Sequence, residues 1–160
     1  MTPDEFRKEY VEPAVELWRV NNTVTHLAAN SIAQIDALAD IVWIAQGRPG
    51  EVSAFRNRLG LKEPAIAIIR DACDSHKHGN LRRKDHISGE RPAAVTRAGF
   101  FLDHSFIGGP PTRYLALVIR KVDGTEQDVS DILSDAMHAW RREFSRLGYG
   151  ANWLIFGQQH

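Results

Sequence analysis

The sequence predicts a mainly α-helical bundle with a small antiparallel β-hairpin inserted before the last helix. Three observations carry this. Apolar residues recur at helical spacing through most of the first 78 residues and again from 131 to 147. An apolar run, Tyr114 to Val122, leads into Asp123-Gly124, a strong short hairpin signal. Prolines and glycines fall where helices should start and stop.

The first helix is expected over residues 3 to 20. Thr2 can cap it, Pro3 suits its first turn, and Glu5 completes a capping-box pattern. Phe6, Tyr10, Ala14, Leu17 and Trp18 mark its apolar face. Pro13 removes a donor and should kink or split it. After Asn21-Asn22-Thr23, a second helix runs from about Val24 to Gln46 and ends at Gly47. Leu27, Ala28, Ser31, Ile35, Leu38, Ile41, Val42 and Ala45 form its broad inner face, so it is the expected spine of the core. Arg48-Pro49-Gly50 is a turn. A short helix covers 51 to 59, with Gly60 as its stop. Another runs from Pro64 to His78, with Gly79 as its stop.

Residues 80 to 93 are polar and basic and read as an exposed loop. Val95 to Phe106 suggests a strand or two, and Gly108-Gly109-Pro110-Pro111 breaks the chain. Thr125 to Val129 returns from the hairpin. Ser130 is the expected cap of the last helix, about 131 to 147, whose inner face carries Ile132, Leu133, Ala136, Met137, Trp140 and Phe144. Gly148 ends it. The tail from 149 to 160 holds Trp153, Leu154, Ile155 and Phe156, enough apolar surface to dock on this chain or on a second copy.

A single domain spanning 1–160 fits the length of 160 residues. Twenty basic residues balance twenty acidic ones, so the whole-molecule field gives no case for non-specific binding to nucleic acid or membrane. Any basic site must be local. One cysteine excludes an internal disulfide and suits a reducing compartment. The start, Met1-Thr-Pro-Asp-Glu-Phe, lacks the pattern of a signal peptide, and no apolar run approaches the roughly 20 residues of a membrane span. A cytoplasmic protein without membrane contact is expected. No P-loop, dinucleotide fingerprint or nucleophile elbow is present, so no cofactor is expected.

Chemistry concentrates in Arg70-Asp71-Ala72-Cys73-Asp74-Ser75-His76-Lys77-His78-Gly79. On a helix, Ala65, Ile69, Ala72 and His76 share one stripe, with Ile66 and Cys73 beside it. Asp71, Ser75 and His78 take the opposite face. His76 is then a polar group in line with the apolar stripe, and its plainest role is a half-buried cap at the helix C-terminus. A ribonuclease reading gives the same residues other work. Cleaving RNA through its own 2′-hydroxyl needs proton transfer, which histidine can perform, and a phosphate clamp, which arginine supplies. Arg70 and His76 would be catalytic and Asp71 would orient one of them. Lys77, Arg82, Arg83 and Lys84 would hold the RNA backbone. Arg70 and His76 diverge by about 120° on an ideal helix, so they converge only at a helix distortion or across a dimer axis.

Two other readings use the same stretch. His76, His78, His86 and His104 with Asp74 or Asp103 could bind metal, but their spacing is not that of a paired-ligand site, and no metal is assigned. In a non-enzymatic module, Arg70 would pair with Asp74 at i and i+4.

The string Arg70-Asp71-x-x-x-x-His76, with a long helix before it and a hairpin and closing Trp helix after it, resembles the HEPN superfamily. The likeness covers most of residues 1 to 147. It implies a helical bundle that forms a homodimer with the motif helices facing each other. It also implies an RNA partner and metal-independent cleavage of the toxin or phage-defence type, with an antitoxin or another protein as partner. Arg70 and His76 would be catalytic, with Asp71 in support. The alternative it implies is a catalytically inactive binding or scaffold module.

Overall fold

The computed structural model describes residues 1–78, 94–102, 112–121, 125–150 and 153. The chain is mainly helical with a small antiparallel sheet. In order the elements are α1 (Pro3–Phe6), a π turn (Arg7–Val11), α2 (Glu12–Val20), α3 (Thr25–Ala45), α4 (Val52–Lys62), α5 (Pro64–His78), β1 (Ala94–Leu102), β2 (Thr112–Arg120), β3 (Glu126–Asp128) and α6 (Val129–Leu147).

The N-terminal helix starts as its sequence dictates. The Glu5 amide donates to Thr2 Oγ1 at 3.2 Å, and the Thr2 amide donates to Glu5 Oε2 at 2.7 Å. Pro13 then has its effect one turn upstream. A proline ring clashes with the carbonyl four residues before it and offers no N–H. The backbone answers with the π turn, in which the Glu12 amide donates to the Arg7 carbonyl. The extra residue also changes which face is buried. Arg7, Val11, Ala14, Val15 and Trp18 point inward, while the expected core residues Tyr10 and Leu17 are exposed. Arg7, 1% exposed, occupies a core position because Asp4 and Glu12 neutralise it there.

α3 is the spine. It packs against α2, α4, α5 and α6, and buries Ala28, Ser31, Ile32, Ile35, Asp36, Leu38, Ala39 and Val42. Ser31 satisfies its hydroxyl by donating to the carbonyls of Ala14 and Leu27, both at 2.9 Å. By length and composition alone α3 could cross a membrane, contrary to the expectation from the sequence. Half of that stretch is buried in the helical core.

Gly60 does not stop α4, which continues to Lys62. A Cβ placed at Gly60 would lie 3.0 Å from the Ala67 Cβ, so the glycine lets α4 and α5 approach closely. α5 has the expected bounds and packs against α3, α4, α6 and β1. The sheet has three strands in the order β1-β2-β3, antiparallel throughout, with Ala98 opposite Ala116 and Val118 opposite Asp128. It is thus one strand larger than a bare hairpin. Asp123-Gly124, Gly79 and the loop from 80 to 93 lie outside the described residues.

α6 begins at Val129, and its cap is Asp128 rather than Ser130. The Asp128 carboxylate accepts from the Ser130 amide at 2.6 Å. Gly148, in the left-handed conformation, ends the helix as expected. Trp153 docks back on this chain. Its ring meets Phe144 edge-on at 4.8 Å and lies 5.1 Å from the Arg7 guanidinium carbon.

Candidate functional site

Because α5 touches three helices and a strand, burial extends around most of its girth. Ile66, Ala67, Ile68, Ile69, Ala72 and Cys73 are buried, and so is Asp71, at 2% exposed. The face expected to be open at Asp71 is therefore covered. His76, expected in line with the core and half-buried, is exposed. It lies in the last turn of α5. Ser75 Oγ is buried and has no hydrogen-bond partner among the described residues.

Arg70 sits at the edge of a charged cluster joining α3, α4 and α5. Its Nη1 donates to Asn57 Oδ1 on α4 at 2.6 Å, rather than to Asp74 one turn ahead. The α3 carboxylates Asp36 and Asp40 belong instead to Arg56. That guanidinium donates to Asp36 Oδ1 at 2.7 Å, to Asp40 Oδ1 at 3.0 Å and Oδ2 at 2.9 Å, and to the Asp36 carbonyl at 3.2 Å. Asp36 is only 6% exposed, so this bridge is largely desolvated.

The two arginines have opposite electrostatic situations. Burial pulls the Arg56 guanidinium down, but Asp36 and Asp40 outweigh it and hold the group above its usual value. Burial also pulls Arg70 down, and the neighbouring charge of Arg56 adds to it. The attraction of Asp74, Asp36 and Asp71 does not make up the difference, and Arg70 lies below its usual value. It remains a cation, as arginines in proteins do. It is a half-buried cation whose one described hydrogen bond goes to a neutral amide.

Arg70 and His76 are not brought together within one chain. α5 is unbroken α-helix from Pro64 to His78, so the two diverge by about 120° and stand about 9 Å apart along the axis. Lys77 is in the last turn of α5. Arg82, Arg83 and Lys84, expected to hold RNA, lie outside the described residues, as do His86, Asp103 and His104 of the metal reading. Among the described residues no group of three or more His, Cys, Asp or Glu is arranged to hold a metal ion.

Asp36, Arg56 and Asn57 were not singled out from the sequence. Asp36 and Asp40 offered a signal: two acidic residues four apart on an otherwise apolar helix need a buried cation nearby. Compared with protein-family models, curated proteins and solved structures, the chain matches none.

Proposed function

We propose that this protein is an HEPN-like, metal-independent ribonuclease acting as a homodimer. Arg70 is the phosphate clamp and His76 the general acid or base. The observation that carries the reading is the setting of Arg70, half-buried on α5 and hydrogen-bonded to the neutral Asn57 amide beside Arg56. A half-buried guanidinium that donates to a neutral amide beside a second cation, with Asp36 engaged by Arg56, gains stability from an incoming anion. An RNA phosphate supplies that charge. The exposed His76 is open to substrate. Buried Asp71 then acts behind Arg70 through its charge, not by touching RNA. Because α5 is straight, the two catalytic residues of one site come from two copies.

The second reading is an HEPN-like binding module without catalysis. It is favoured by the same straight helix, which separates Arg70 from His76 within one chain.

The test is cleavage of a labelled mixed-sequence RNA in EDTA by the wild type, Arg70→Ala and His76→Ala. Cleavage by the wild type and a loss of about a hundredfold or more in either variant supports the nuclease. No cleavage by any of them, with RNA binding lost in Arg70→Ala alone, leaves the binding module. Equal behaviour of all three proteins in both assays sinks both.

A further inference from the structure

On the other side of α4 lies a second cationic site. Phe55, Leu59 and Lys62 recur at i, i+4 and i+7, about 200° round the helix from Asn57. They line an open cleft of about 130 Å³ together with Arg48, Arg58, Glu143 and Arg146. The residues come from the α3–α4 connection, α4 and α6.

Four cations thus face one carboxylate, in a chain whose charges cancel as a whole. Glu143 is buried and occupied. It accepts from Arg146 Nε at 2.8 Å and lies 3.5 Å from Lys62 Nζ. Arg146 holds the Glu143 carboxyl below its usual value despite burial. Arg48 has no carboxylate partner among the described residues. It hydrogen-bonds Gln46, and its guanidinium carbon lies over the Phe55 ring, 4.9 Å from the centroid. Arg58 has no hydrogen-bond or ion-pair partner among the described residues. The Phe55 ring holds the Arg48 guanidinium over it, and the apolar floor of Phe55 and Leu59 lowers the local dielectric.

We propose that this cleft binds a phosphate group. Its size and charge select that chemistry. Small-molecule pockets run to roughly 300–1,000 Å³, so the cleft is too small for a whole nucleotide and suits a single anionic group. The surplus of positive charge exceeds what one carboxylate needs, and while Arg146 is held by Glu143, Arg58 and the remaining donors of Arg48 can reach several oxygens at once. The group is either a free phosphate or a phosphate of a nucleic-acid backbone crossing the surface. The site shares no residue with the Arg70 cluster and stands whether or not that cluster cleaves RNA.

The probes are inorganic phosphate, AMP and a short 2′-O-methyl RNA, which resists cleavage through the 2′-hydroxyl. Titration calorimetry would follow each with the full chain. Arg58→Ala is the diagnostic variant, because Arg58 is exposed and its loss leaves no partner behind among the described residues. Arg19→Ala is the control. It removes the same charge from an exposed pair with Glu16. Saturable binding of at least one probe, weakened about tenfold or more in Arg58→Ala and unchanged in Arg19→Ala, is expected. Response to inorganic phosphate and AMP marks a free-anion site, and response to the oligonucleotide alone marks a backbone contact. Absence of binding by all three overturns the proposal. So does equal weakening in both variants, or binding of an oligo-glutamate peptide in preference to every phosphate probe.

Discussion

At the scale of single residues, the buried charges decide more than the surface ones. Arg56 bridges two carboxylates from α3, and one of them is nearly inaccessible. Arg56→Ala leaves Asp36 desolvated without its cation, which should cost about 3–5 kcal/mol. Arg19→Ala, which breaks a solvent-exposed pair with Glu16, should cost no more than about 1 kcal/mol. Urea denaturation of the two variants measures the contrast, and equal midpoints would refute it. Glu143 adds a pH dependence of known sign. Its hydrogen bond with Arg146 places its folded-state pKa below the usual 4.5. The stabilisation is therefore complete above that usual value and is lost as pH falls through the folded one. The wild type should lose stability below about pH 4.5 more steeply than Glu143→Gln, whose side chain does not titrate. Parallel acid-titration curves for the two proteins would show that Glu143 makes no such contribution.

At the scale of elements, what could be read from the sequence depended on whether the deciding force was local. The bounds of α5 follow from Pro64 and the apolar period after it. The capping box at Thr2 and the left-handed stop at Gly148 are local backbone chemistry as well. Apart from the register shift next to Pro13, the main misreadings have non-local causes. Gly60 looks like a stop, yet its missing side chain serves the contact with Ala67 on the next helix. Tyr10 and Leu17 fit an uninterrupted helical period, but the π turn shifts the register and turns Arg7 and Val11 inward. Asp71 is buried because a strand and three helices surround α5, and none of these contacts is written in the period of α5 itself. The site follows the same rule. Residue types marked out Arg70 and His76, whereas Asn57 and Arg56 join Arg70 only through tertiary packing. The α4–α5 contact gives a direct test. Gly60→Leu should destabilise the protein by about 1–3 kcal/mol through overpacking, despite leucine's better helix propensity. A stabilised Gly60→Leu protein in thermal melts would mean that the helices separate at little cost.

At the scale of the molecule, one core runs from Val11 near the N-terminus to Trp153 in the tail. Trp153 closes it by covering Phe144 and Arg7 together, which joins the two ends of the described chain. Trp153→Ala should cost about 3–5 kcal/mol. Its loss should also change the near-ultraviolet circular dichroism, since the ring sits against another aromatic in a fixed geometry. A variant as stable as the wild type would mean that the tail is not part of the core. The straightness of α5 has a last consequence, for mixtures of two inactive proteins. If each cleavage centre takes Arg70 from one subunit and His76 from the other, Arg70→Ala and His76→Ala are each dead alone. Random subunit exchange between them makes heterodimers in which one centre is whole and the other lacks both groups, restoring about a quarter of wild-type turnover by two-fold symmetry. Complementation of this kind requires the active centre to span the two-fold axis.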